Sequence, residues 1–206
     1  PYLIIGLVIL TIFFVILFTK MPKNSEKGNK INFMPTLRRI FRMPHYREGV
    51  FTQFFYVGAQ IMCWTFIIQY GTRVFMAEGM DEQAAEVLSQ KYNIAAMILF
   101  VTCRFLCTWL MKYLKPSKLL TIFAIGGMIA TAGVIFLQNR LGLYCLVAVS
   151  GFMSLMFPTI YGIALGGLGD DSKFGAAGLI MAILGGSVLP PLQAWIIDKG
   201  TIGFLP

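Results

Sequence analysis

The stretch from residue 49 to residue 72 constrains the fold more than any other part of this 206-residue chain. It carries no charged side chain, and it exceeds the roughly 20 mostly apolar residues that a helix needs to cross a bilayer. It nevertheless contains two amides, a phenol and an indole at spacings that place them on one helix face at about 100° per residue. These four residues are Gln53, Tyr56, Gln60 and Trp64.

This polar face must turn away from lipid, because an amide in hydrocarbon costs roughly several kcal/mol unless it finds a partner. Two interpretations remain open. Gln53 and Gln60 could hydrogen-bond a neighbouring helix, or the face could line a cavity that binds a polar solute. An aromatic surface beside amides suits a sugar, whose C–H faces are apolar and whose hydroxyls need both donors and acceptors. We therefore favour the solute site.

The composition is that of a membrane protein. Hydrophobic residues make up 57% of the chain and charged residues only 13%, whereas soluble domains carry about 25% charged residues. The net charge of +8 does not indicate nucleic-acid binding, because the basic residues lie in short loops between apolar runs. We predict an all-α, multi-pass membrane protein.

Six apolar runs are candidate transmembrane helices. They cover residues 2–19, 49–71, 92–111, 119–138, 141–165 and 175–197. We expect the last to break at Pro190-Pro191, because prolines remove backbone hydrogen bonds and clash with the preceding turn. The chain opens on Pro1 inside an apolar run, so we interpret it as a piece of a longer protein.

The loops indicate the orientation. The connection between the first two spans carries eight basic residues: Lys20, Lys23, Lys27, Lys30, Arg38, Arg39, Arg42 and Arg47. The opposite side carries Arg73, Lys91, Arg140 and Lys199. The positive-inside rule makes the first side cytoplasmic. Between Pro35 and Pro44 we predict a short helix, which either lies on the inner membrane surface or belongs to an ordinary basic linker.

Further polar groups lie within the apolar runs. In the third span, Asn93 and Arg104 share one face. An intramembrane charge is expected to have a partner, and the candidates are Asp170 and Asp171. We interpret Arg104 as a tether at a cytoplasmic gate, with direct substrate contact as the alternative. In the fifth span, Tyr161 shares a face with two serines.

Several kinds of site are not indicated. The predicted spans contain no Asp or Glu, so a proton carrier at membrane depth is not expected in this chain. The four cysteines lie in apolar runs and do not read as a disulfide framework, and two thiols alone are a weak metal signal. The only histidine, His45, has no evident nucleophile nearby. We therefore predict no enzyme activity, no metal and no cofactor.

Several motifs together resemble one family. The second span carries Gln53-Phe54-Phe55-Tyr56-Val57-Gly58-Ala59-Gln60 with Cys63-Trp64. The third carries Arg104-Phe105 with Thr108-Trp109-Leu110, and the fifth Phe152-Met153-Ser154 with Phe157-Pro158-Thr159-Ile160. The run Gly167-Leu168-Gly169 leads into the sixth. These motifs resemble the C-terminal half of the L-fucose–proton symporter family, within the major facilitator superfamily. The chain departs from the family at Cys103, where Gly is usual.

The resemblance implies a major facilitator superfamily fold in which the six spans are helices 6–11 of twelve. Residues 1–19 would be the last helix of the N-terminal half, 20–48 the cytoplasmic linker and 49–206 the C-terminal half. The implied activity is import of a monosaccharide, L-fucose or a similar sugar, by proton symport through alternating access in a bacterial inner membrane. The coupling carboxylates would lie in the missing N-terminal half.

The implied wall of the sugar site consists of Gln53, Tyr56, Gln60, Trp64, Asn93 and Tyr161. The implied gate and bending residues are Arg104, Asp170, Asp171, Pro190 and Pro191. Two alternatives stay open: a non-transporting sensor or scaffold of the same fold, and a transporter for another small polar solute.

Overall fold

The computed structural model describes residues 2–19 and 33–199. The chain divides into two compact units, residues 1–32 and residues 33–206. The first unit contains helix α1 (Tyr2–Phe18). The described part of the second contains α2 (Phe33–Phe41), α3 (Pro44–Ala77), α4 (Glu82–Leu110), α5 (Pro116–Phe136), α6 (Arg140–Met153), α7 (Met156–Leu165), α8 (Ser172–Met181) and α9 (Gly185–Asp198).

Five helical segments are long and apolar enough to cross a membrane: α3, α4, α5, the interrupted pair α6–α7 and the interrupted pair α8–α9. They confirm five of the six predicted spans. Helix α1 matches the remaining one, and its 17 residues are close to the lower limit for a span. Helices α3 and α4 begin at Pro44 and Glu82, earlier than predicted, because polar residues extend both helices beyond their apolar parts.

Helix α3 is the centre of the second unit and packs against α4, α6, α7 and α9. Glycines let its backbone approach α9 closely. A Cβ atom on Gly185 would overlap the carbonyl oxygen of Phe54, and one on Gly58 would overlap the side chain of Leu189. The absence of side chains at these two positions therefore sets the distance between the two helices.

The fifth predicted span is broken in its middle, between α6 and α7. The interruption falls at Ser154 and Leu155. Pro158 contributes to it, since it has no N–H to donate to the carbonyl of Ser154 one turn earlier. The break leaves polar backbone groups inside the bundle, and these must be satisfied by side chains.

The predicted break at Pro190-Pro191 is wrong in position. Both prolines lie inside α9, and the interruption is a turn of 3₁₀-helix at Ala182–Leu184, more than one turn earlier. Glycine pairs also permit bends in helices, and Gly185 and Gly186 follow this turn directly, where they pack against α3. The interruption therefore lies directly beside the close contact of Gly185 with α3, and both prolines follow it inside α9.

The predicted short helix in the linker exists as α2, and it belongs to the second unit. Ile40 anchors it with only 1% of its surface exposed, in a cluster with Tyr46, Ala164, Leu168 and Leu179. The basic residues of the linker at positions 20–32 lie outside the described residues.

Candidate solute-binding site

The polar face of α3 turns into the helix bundle, as its composition requires. Gln53 has 0% of its surface exposed, Tyr56 7% and Gln60 8%. Trp64 is half-buried, and its ring packs edge-to-face on Phe100 of α4 with centroids 5.1 Å apart. The prediction that this face avoids lipid is thus confirmed, and the face lies against protein.

Tyr56 provides a hydrogen-bond donor to a backbone carbonyl at the break between α6 and α7. Its hydroxyl donates a 2.7 Å hydrogen bond to the carbonyl oxygen of Met153, the last residue of α6. Such a bond contributes about 1 kcal/mol, and leaving the buried carbonyl without a donor would cost about 1–3 kcal/mol. The phenol therefore acts as a helix–helix contact, and its ring packs in a cluster with Val57, Val149 and Ile160.

Other polar atoms of the predicted site are buried without a partner among the described residues. They are both amide atoms of Gln53, Nε1 of Trp64 and Oδ1 of Asn93. Buried polar groups in proteins are nearly always hydrogen-bonded to protein, water or ligand. Each of these atoms could exchange a hydrogen bond with a group of a solute that offers both donors and acceptors, as sugar hydroxyls do.

Tyr161 lies apart from this group. Its ring stacks on Phe157 with centroids 6.5 Å apart and packs beside the cluster around Ile40 and Leu168, near the linker helix. It is half-buried. The structure thus places Tyr56 and the Trp64–Phe100 pair in the middle of the bundle and Tyr161 nearer the end of α7.

The predicted ion pair between Arg104 and Asp171 is wrong. Arg104 is exposed and forms no ion pair within the described residues, whereas Asp171 pairs with Arg39 of α2. The Oδ2 atom of Asp171 lies 2.9 Å from Nε and 2.5 Å from Nη2 of Arg39. The docking of α2 through Ile40 places Arg39 beside the turn that contains Asp171. The side chain of Asp170 lies outside the described part.

Two further contacts join the start of α3 to the same region. The His45 Nε2 atom lies 2.9 Å from the carbonyl oxygen of Gly166, and the Tyr46 hydroxyl donates a 3.0 Å hydrogen bond to the carbonyl oxygen of Gly175. We call this set, with Arg39 and Asp171, the linker clasp. We did not identify this set from the sequence. Pro44 was used there as the end of the short helix, but it is the first residue of α3, and a proline at the first helical position could have indicated a helix start beside His45 and Tyr46.

The opposite ends of the helices carry a second cluster. The Nε atom of Arg140 lies 2.9 and 2.8 Å from the two carboxylate oxygens of Glu78. The guanidinium of Arg140 also lies over the ring of Phe75, 5.6 Å from its centroid. Tyr92 and Tyr144 pack beside them, with their hydroxyl oxygens 3.3 Å apart. These contacts hold together the ends of α3, α4 and α6.

A cavity of about 510 Å³ lies on another side of α3. Its lining is mostly apolar and includes Met62, Phe66, Tyr70, Leu192 and Gln193. None of the predicted sugar-contacting residues is among those that line it. The described residues contain no group of three potential metal ligands, and the four cysteines are free: Cys63, Cys103, Cys107 and Cys145.

Comparison with known proteins finds relatives along nearly the whole chain. The L-fucose-proton symporter of Haemophilus influenzae is 50% identical over an alignment of 209 positions that covers 100% of this chain and 46% of that protein. The L-fucose-proton symporter of Escherichia coli is 33% identical over 96% of this chain and 45% of its own length. A glucose/galactose transporter of Brucella abortus is 25% identical over 96% of this chain.

The similar solved structures are of one of these relatives. The crystal structure of the Escherichia coli fucose:proton symporter superposes with a TM-score of 0.79 and 32% identity, over 98% of this chain and 48% of that one. A second structure of that protein, a major facilitator superfamily transporter in the outward conformation, gives the same values. The chain spans about half the length of the relatives it matches. No family model matches it.

Proposed function

Because this chain belongs to the L-fucose–proton symporter family of the major facilitator superfamily, we propose that it forms part of a secondary transporter that imports a monosaccharide together with a proton. The observation that carries this proposal is the buried face of α3, where both amide atoms of Gln53 lack a partner among the described residues. A solute with several hydroxyls would satisfy them.

L-fucose is the leading candidate for the transported sugar. The two relatives with at least 33% identity are named as L-fucose symporters, and the more distant ones as glucose/galactose transporters. All of these names denote transporters of sugars, which agrees with the amide and aromatic character of the α3 face. No observation favours the alternative of a non-transporting sensor.

Gln53, Gln60 and Asn93 would exchange hydrogen bonds with sugar hydroxyls at different depths of the transport path, since a rise of about 1.5 Å per residue separates Gln53 from Trp64 by about 16 Å along α3. The indole of Trp64 would pack on an apolar sugar face and donate through Nε1. Tyr56 would hold the span formed by α6 and α7 in position and would contact the sugar with the edge of its ring. Tyr161 would contribute only when the bundle rearranges, because it lies nearer the end of α7.

Alternating access requires elements that change arrangement while the site persists. We assign the linker clasp to the cytoplasmic gate, with Asp171 paired to Arg39. The interruptions at Ser154–Leu155 and Ala182–Leu184 would provide the bending points, and Pro190 and Pro191 would limit the rigidity of α9. Arg104 would lie at the edge of the same gate.

Proton coupling would depend on the other half of the transporter. The acidic residues whose side chains are described in the second unit lie toward the ends of the membrane-length helices or in the turns between them. We propose that the proton carrier belongs to the N-terminal half and that this chain supplies the sugar-recognition wall in a bacterial inner membrane, with its basic linker in the cytoplasm.

The experiment is accumulation of labelled L-fucose in proteoliposomes that contain the full-length transporter. Under an inwardly directed proton gradient, the sugar should accumulate above its external concentration, and a protonophore should abolish the accumulation. Binding of L-fucose without accumulation under any cation gradient would support the sensor alternative and contradict the proposal.

A further inference from the structure

The arginines at the C-terminal end of α2 lie in different environments. Arg39 pairs with Asp171, whereas Arg38 and Arg42 are exposed and have no ion-pair partner among the described residues. At about 100° per residue, Arg38, Phe41 and Arg42 fall on one side of the helix and Ile40 falls on the opposite side. The burial follows this division, since Ile40 is 1% exposed and Phe41 is 41% exposed.

The side of α2 that carries Arg38, Phe41 and Arg42 lies next to the start of α3. Helix α3 starts at Pro44, three residues after the end of α2, and Ile40 packs on residues at the ends of α3, α7 and α8. The charged side chains of the first turns of α3 are Arg47 and Glu48, both exposed. The junction of α2 and α3 thus carries three exposed arginines and one exposed carboxylate. The ring of Phe41 packs edge-to-face on Tyr46, with centroids 5.6 Å apart, and leaves 41% of Phe41 exposed.

We propose that this side of α2 binds the headgroups of anionic phospholipids in the cytoplasmic leaflet. Basic residues close to an anionic membrane surface are attracted to it, and arginine forms bidentate hydrogen bonds with phosphate oxygens. The exposed part of Phe41 fits the boundary between headgroups and acyl chains, where amphipathic helices insert their apolar side. The inference goes beyond sugar transport and does not depend on which solute is carried.

Lipid bound here would act on the gate. The same helix holds Asp171 through Arg39, and the adjoining His45 contacts the carbonyl of Gly166. A lipid that fixes α2 at the membrane surface therefore also restrains the turn between α7 and α8. The effect of anionic lipid should appear as a change in transport rate that is lost together with binding.

The test uses the full-length protein reconstituted in phosphatidylcholine vesicles with a phosphatidylglycerol analogue that carries a photoactivatable headgroup. Mass spectrometry then measures labelling of residues 33–47. We expect Arg38→Gln/Arg42→Gln to reduce this labelling on the order of tenfold to thirtyfold. The matched control Lys112→Gln/Lys115→Gln removes the same charge from another cytoplasmic loop and should leave the labelling unchanged.

Three further arms make the result decisive. Arg38→Lys/Arg42→Lys keeps the charge and should retain the labelling, which separates lost attraction from a folding defect. Unlabelled phosphatidylglycerol should compete, and inorganic phosphate should not. Equal labelling by a phosphatidylcholine analogue, undiminished labelling of the Gln variant, equal loss in the Lys variant, or competition by inorganic phosphate would each overturn the proposal.

Discussion

The hydroxyl of Tyr56 in α3 donates a 2.7 Å hydrogen bond to the carbonyl oxygen of Met153, where the span formed by α6 and α7 breaks. A helix interrupted inside a membrane needs such a donor, because no water reaches the freed backbone groups from the lipid. This contact fixes the polar face of α3 against the break and so holds the candidate site together.

Tyr56→Phe should destabilise the protein by about 1–3 kcal/mol, since it leaves the Met153 carbonyl buried without its donor. Thermal unfolding of the detergent-solubilised protein measures the change. Tyr113→Phe is the control, because Tyr113 is 70% exposed and its hydroxyl has no hydrogen bond among the described residues. Equal stability of both variants would contradict the structural role of Tyr56.

Gln53→Met separates the two roles considered for the buried amide. Met has nearly the shape of Gln but needs no hydrogen bonds, so removal of two unpartnered polar atoms should raise stability by about 1–3 kcal/mol. The same change should weaken sugar binding, which isothermal titration with L-fucose measures. If Gln53 instead joins helices, the variant will lose stability and keep its affinity.

The ion pair between Arg39 and Asp171 should matter more for transport than for stability. The two side chains are 63% and 17% exposed, and exposed pairs contribute only about 0–1 kcal/mol. Arg39→Asp should slow uptake, and Arg39→Asp/Asp171→Arg should restore much of the rate. A double variant no faster than the single variant would show that this pair does not form part of the gate.

Gly185→Ala should impair packing of α9 on α3, because the new Cβ would overlap the carbonyl oxygen of Phe54. Overpacking of this kind typically costs about 1–3 kcal/mol. Gly162→Ala is the matched control, since a Cβ there meets nothing within 4 Å, and it should stabilise α7 by up to about 1 kcal/mol. Thermal unfolding compares them, and similar shifts would argue against a tight α3–α9 contact.

The sequence was sufficient for the spans and for the polar face of α3, because hydropathy and helical spacing are local properties. It was not sufficient for the pairing of Asp171, whose partner Arg39 lies 132 residues away and reaches it only because Ile40 docks α2. The interruption before α9 was misplaced for a similar reason. Its position follows the contact of Gly185 with α3, which no local pattern reveals, whereas the prolines were visible in the sequence.

Because we propose that the polar face of α3 recognises the sugar, Gln60→Ala is the decisive variant. Gln60 is 8% exposed on that face, while Gln69 is exposed and lines the cavity on another side of the same helix. Uptake of labelled L-fucose should show weaker apparent affinity or a lower rate for Gln60→Ala, and wild-type behaviour for Gln69→Ala. Unchanged affinity and rate for Gln60→Ala would show that the polar face of α3 does not recognise the sugar.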